Sequence, residues 1–133
     1  MRVFLCSYGN FSIAIPMSSV SSLALHTDSR DAGAALTHDR ENTYVSLPKL
    51  FELPSEYSRH GITLNSGGGK IVLLSTEVER EAEIPDEEIF PVPKALCGTR
   101  FSALFSGIQF AGSPVLLLDP ERLIQRVEKE MAL

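Results

Sequence analysis

Apolar and polar positions alternate along this chain in short runs, and turn-forming residues separate the runs at close spacing. Val3-Phe4-Leu5-Cys6 is a first apolar run, followed by a Tyr8-Gly9-Asn10 turn, because Gly and Asn tolerate positive φ. Phe11-Ser12-Ile13-Ala14-Ile15 returns with its large residues at every second position, which predicts a strand with one buried face. Pro16 ends it, since proline cannot donate to a ladder. Val20, Leu23 and Leu25 form a short apolar segment, a helical turn or a third strand. The stretch 26–34 is polar and small and reads as a loop, whereas Asn42-Thr43-Tyr44-Val45-Ser46-Leu47 is rich in β-formers. Leu50, Phe51 and Leu53 suggest a helical turn closed by Pro54.

The segments 61–65 and 70–74 flank Ser66-Gly67-Gly68-Gly69, a strong hairpin signal. The segment 79–84 reads as a strand whose exposed face carries charges. The segments 101–105 and 109–118 bracket turns at Ser106-Gly107 and Gly112-Ser113-Pro114. The end, 120–131, is helical: Asp119 can cap it, Pro120 takes the first helical position, and Leu123, Ile124, Val127 and Met131 share a face. About ten short strands and one good helix predict an all-β barrel or sandwich.

The two halves look alike. One constant shift (71 − 13) carries Ile13 onto Ile71, Gly9 onto Gly67, Ile15 onto Leu73 and Val20 onto Val78. Tyr44-Val45-Ser46-Leu47-Pro48 and Leu116-Leu117-Leu118-Asp119-Pro120 close the halves in the same way. The duplication implies two small barrels of like topology, each too small to be very stable alone. The polar stretch 56–60 is the candidate boundary. A first subdomain would span 10–60 and a second 61–118, with strand 1–8 completing a barrel, before the helix at 120–131.

Composition narrows the function. With 133 residues, 44% hydrophobic and 22% charged, the chain suits one soluble globular domain. The net charge of −5 and scattered basic residues argue against nucleic acid or an anionic membrane as the main partner. Cys6 and Cys97 suit reduced thiols, and the start lacks a signal-peptide pattern, so a cytoplasmic location is the expectation.

Lys70-Ile-Val-Leu-Leu-Ser-Thr-Glu-Val-Glu, Ile84-Pro-Asp-Glu-Glu-Ile89 and Pro114-Val-Leu-Leu-Leu-Asp-Pro-Glu-Arg-Leu-Ile124 together resemble the second half of a CheW-like domain. Phe11-Ser-Ile-Ala-Ile-Pro16 followed by Val20 resembles that family's opening hairpin. The resemblance implies two intertwined five-stranded antiparallel β-barrels with a C-terminal α-helix. It also implies a bacterial chemotaxis adaptor, a scaffold coupling a CheA-type histidine kinase, through its regulatory domain, to chemoreceptor cytoplasmic helices. The first half departs from the family. Ser22 stands where an acidic residue is usual, and Thr37-His38-Asp39-Arg40-Glu41 replaces an Asn-Leu-Arg-Gly hairpin, with only Arg40 corresponding. That divergence motivates an alternative, a CheW-like scaffold with a partner outside chemotaxis.

The resemblance places partner binding at Val20, Ser22, Leu23, Arg40 and Val78. Val20 and Val78 are candidates to line a groove between barrels for a receptor helix, against simple core packing. Arg40 is a candidate for pairing an acidic partner residue, against a solvated hairpin tip. Gly67-Gly68-Gly69-Lys70 lacks the spacing of a phosphate loop and reads as a turn. His26, His38 and His60 are far apart in polar loops, so no metal is expected. The acidic run at 77–88 reads as a charged strand face. Neither cysteine has a nearby histidine, so no catalytic residue, enzyme activity or cofactor is expected.

Overall fold

The computed structural model describes residues 1–8, 11–25, 36–38, 42–46, 60–64, 70–75, 78–92 and 104–131. Among these the chain is mostly β, with ten strands in two five-stranded sheets and one C-terminal helix. In chain order the strands are β1 (Arg2–Ser7), β2 (Ser12–Pro16), β3 (Val20–Leu25), β4 (Leu36–His38), β5 (Asn42–Ser46), β6 (His60–Leu64), β7 (Lys70–Ser75), β8 (Val78–Glu83), β9 (Phe105–Ala111) and β10 (Ser113–Leu118). Helix α1 spans Pro120–Met131.

The sheet orders are β8-β1-β2-β10-β9 and β3-β6-β7-β5-β4. The two orders match strand for strand when β1–β5 are equated with β6–β10, but each repeat lends its hairpin to the other. The β1–β2 hairpin lies with β8, β9 and β10, and the β6–β7 hairpin lies with β3, β4 and β5. The duplication holds at single-residue register. Phe4 pairs Ile15 and Cys6 pairs Ile13 in the first hairpin. Ile62 pairs Leu73 and Leu64 pairs Ile71 in the second, at one constant offset (62 − 4 and 73 − 15 agree). The closing strands sit one position from the expected match: Ile13 pairs Leu116, whereas Ile71 pairs Thr43, not Tyr44.

The sheets are mixed, which corrects the antiparallel expectation. β2·β10 and β5·β7 run parallel, whereas β1·β2, β3·β6, β4·β5, β6·β7 and β9·β10 run antiparallel. Parallel neighbours need a long crossover, and β10 reaches β2 only after most of the chain has passed. The chain accordingly divides into two compact units, residues 1–17 with 79–133, and residues 18–78. The second unit runs past residue 60, because β6 and β7 hydrogen-bond to strands of the first repeat.

In the first unit Val3, Leu5, Ala14, Ile84 and Leu117 form one cluster, with Ala82, Ile89 and Val115 packed against it. Phe4, Cys6, Ile13 and Ile15 alternate with these residues and are buried too. β2 therefore buries both faces, not one: the small Ala14 packs inward on the face that alternation assigned to solvent. In the second unit Tyr44, Val72 and Leu74 cluster, while Val45, Ile62 and Leu73 are fully buried.

α1 begins as its sequence dictates. The Asp119 Oδ1 accepts from the amides of Glu121 (3.0 Å) and Arg122 (3.3 Å), two donors that the first helical turn leaves unpaired. Leu123 and Val127 bury one stripe. Arg122 ties the helix to β9 by donating to the Phe105 carbonyl at 3.0 Å. The β9–β10 turn at Gly112 is real, with φ +81°. The expected Ser106-Gly107 turn is not: both residues lie inside β9. Gly107 instead marks a close approach, because a Cβ there would stand 2.5 Å from Ile89 Cγ2 and 3.1 Å from the Phe90 carbonyl oxygen.

Candidate functional site

Three of the five sequence-selected residues fall on β3. This strand ends its sheet, pairing only β6 among the described residues. Its register slips between Val20, opposite Leu64, and Ser22, opposite Thr63. The slip leaves Ser21 as the extra residue, and its hydroxyl donates to the Thr63 carbonyl at 3.2 Å. A bulge breaks the two-residue alternation and re-aims side chains. Here Ser21, Ser22 and Leu23 are exposed in succession, and Val20 is half-buried. Leu23 is an exposed large apolar side chain, as Met1, Phe90 and Phe110 are among the described residues. The segment thus presents two hydroxyls and one aliphatic group, with no charged side chain among them.

Val78 opens β8 as Val20 opens β3, and the two strands are the equivalent edges of the two sheets. β8 differs from β3 in chemistry. Arg80, Glu81 and Glu83 are exposed, and Arg2 pairs Glu81 at 3.3 Å. Charged side chains on an edge strand discourage further pairing, so the acidic run is in part the charged strand face that the sequence suggested. Arg40 lies outside the described residues, as do His26, Cys97, the glycines at 67–69 and the helical turn read at 50–53.

Other sequence readings are refined. His38 and His60 sit in β4 and β6, not in loops. Cys6 is a buried thiol on β1. Among the described residues no three His, Cys, Asp or Glu side chains converge as a metal site would need, and no helix is long and apolar enough to cross a membrane.

The sequence reads 85–88 as a turn or extended segment, and it does not single out the exposed phenylalanines beside it. Asp86–Glu88 form a 3-10 turn after Pro85, and Phe90 then bridges Ile108 of β9. Phe90 and Phe110 are both exposed beside this turn. The signal is present as Ile89-Phe90-Pro91 and Phe110, but apolar residues in strand-like runs read as core.

The chain's fold is that of a solved scaffolding protein. It superposes on the crystal structure of scaffolding protein TtCheW from Thermoanaerobacter tengcongensis with a TM-score of 0.64 and 17% sequence identity, covering 89% of this chain and 83% of that one. The fold is CheW-like. No family model matches the sequence. No curated protein matches it either. The likeness therefore rests on the superposed fold.

Proposed function

We propose that this chain is a non-enzymatic chemotaxis adaptor that couples a CheA-type histidine kinase to chemoreceptors through protein–protein contacts in the bacterial cytoplasm. The observation that carries the reading is the likeness to a scaffolding protein over 89% of the chain. Each five-stranded sheet is read as curling into a barrel. The contact residues are Val20, Ser22 and Leu23 on the β3 edge, with Val78 and Arg40. An uncharged, partly apolar edge segment suits docking of a receptor helix, and the kinase's regulatory domain would bind elsewhere on the chain. The departure at Thr37-His38-Asp39-Arg40-Glu41 supports a second reading, the same scaffold with a partner outside chemotaxis.

The test is a titration of the full chain against a kinase regulatory domain and against a receptor cytoplasmic fragment, followed by gel filtration. A complex with each at tens of micromolar or tighter is expected. Val20→Asp and Leu23→Asp should weaken receptor binding by about tenfold or more, roughly 1.4 kcal/mol. Binding to neither fragment ends the chemotaxis reading and leaves the second one.

A further inference from the structure

Phe90 and Phe110 are 52% and 61% exposed. They belong to one ledge on the first unit. Phe90 and Ile108 exchange two backbone hydrogen bonds of 2.8 Å each. Phe110 stands two positions further along β9, on the same face as Ile108. Diagonal neighbours of an antiparallel pair lie about 7–8 Å apart, within reach of aromatic rings. Ile108 is buried, so the ledge continues the core face outward past the edge of the packing.

The ledge is fixed in place. Glu88 donates its amide to the Pro85 carbonyl (3.0 Å), Ile89 donates to that of Asp86 (3.2 Å), and the Gln109 side chain donates to the Glu88 carboxylate at 2.9 Å. Gly107 lets the 89–90 backbone close against β9. Preorganised apolar surface of this kind loses little entropy on binding. Single exposed apolar residues are ordinary; here Phe90 on the pinned segment and Phe110 on the adjoining strand β9 are both exposed on one face.

The rim selects the occupant. Asp86, Glu87 and Glu88 are all exposed, and none makes an ion pair among the described residues. Nucleic acid and anionic lipid would bring phosphates onto these carboxylates. A second copy would set a chain of net charge −5 against the same acidic rim. We propose that the ledge docks a segment of a partner protein that carries an apolar side chain flanked by Lys or Arg. The apolar group seats between Phe90 and Phe110, and the basic groups lie over the carboxylates at 86–88.

The inference goes beyond the adaptor reading, and its test uses neither kinase nor receptor, so each can fail alone. The isotope-labelled full chain is titrated with two short peptides of equal apolar content, one carrying lysines and one carrying glutamates. The lysine peptide should shift the amides of Phe90, Gln109 and Phe110, and the glutamate peptide should not. Phe110→Ser, and separately Asp86→Asn with Glu87→Gln, should each weaken the lysine peptide about tenfold, with thermal unfolding confirming the fold. Equal response to both peptides, or to neither, overturns the proposal.

Discussion

Replacing Gly107 by alanine tests the closure of Ile89 and Phe90 onto β9. The added Cβ would stand 2.5 Å from Ile89 Cγ2, a separation that real Cβ atoms do not sustain, and 3.1 Å from the Phe90 carbonyl oxygen. Ile89 cannot simply swing away, because it packs against the cluster of Val3, Leu5, Ala14, Ile84 and Leu117. Overpacking of this kind costs about 1–3 kcal/mol. Alanine also restricts the unfolded chain, which offsets about 0.5–1 kcal/mol. The net expectation is a loss of about 1–2 kcal/mol, a fall in Tm of roughly 3–8 °C for a domain of this size. Urea and thermal unfolding of Gly107→Ala, Ile89→Ala and the double variant form the assay. If the methyl–methyl clash is the cause, the double variant is less destabilised than the two single changes together predict, by about 1 kcal/mol. An unchanged or raised Tm for Gly107→Ala, or simple additivity, would refute the reasoning.

Ala14→Leu should destabilise by about 1–3 kcal/mol in urea unfolding, because Ala14 is fully buried in the first unit's cluster; a neutral result would return that face of β2 to solvent. Leu73→Ala, at a fully buried position of β7, should cost about 2–5 kcal/mol by the same measurement. Asp119→Ala should cost about 1 kcal/mol through loss of the helix cap, with Asp119→Asn close to neutral. Leu5→Ala and Ile84→Val, far apart in sequence but in one cluster, should couple by about 0.5 kcal/mol or more in a double-mutant cycle.

Local chemistry is legible in the sequence where it acts over a short span. The Asp119-Pro120 start of α1 and the Gly112 turn follow from capping and positive φ. The hairpin repeat is visible because the same apolar positions recur at one constant offset. The sequence is silent on partner choice between like strands. Two equivalent hairpins carry the same pattern, so nothing local says whether β1–β2 completes its own repeat or the other one. The Ser106-Gly107 misreading has a similar root, since a glycine needed for close approach looks like a glycine needed for a turn. On β3, Ser22 and Leu23 look like ordinary alternation until the bulge after Val20 places both in water.

The exchange of hairpins explains where this chain has room to differ from its own repeat. β3 and β8 keep the hairpin offset, since 78 − 20 equals 62 − 4. At the parallel seams the offset between Thr43 and Leu116 is larger, because 116 − 43 exceeds 78 − 20. The second half is therefore longer between β8 and β10 than the first is between β3 and β5. That stretch includes Pro85, the acidic turn and Phe90. Inside a hairpin or a parallel seam an insertion would disturb a register fixed by buried residues, and a one-residue slip would turn a strand's side chains to the wrong face. After the last residue of an edge strand an insertion breaks no ladder. The second half carries its extra length after the edge strand β8, in the stretch that holds the exposed Phe90 and the exposed carboxylates of Asp86, Glu87 and Glu88. Additional chain at that point alters the register of neither sheet.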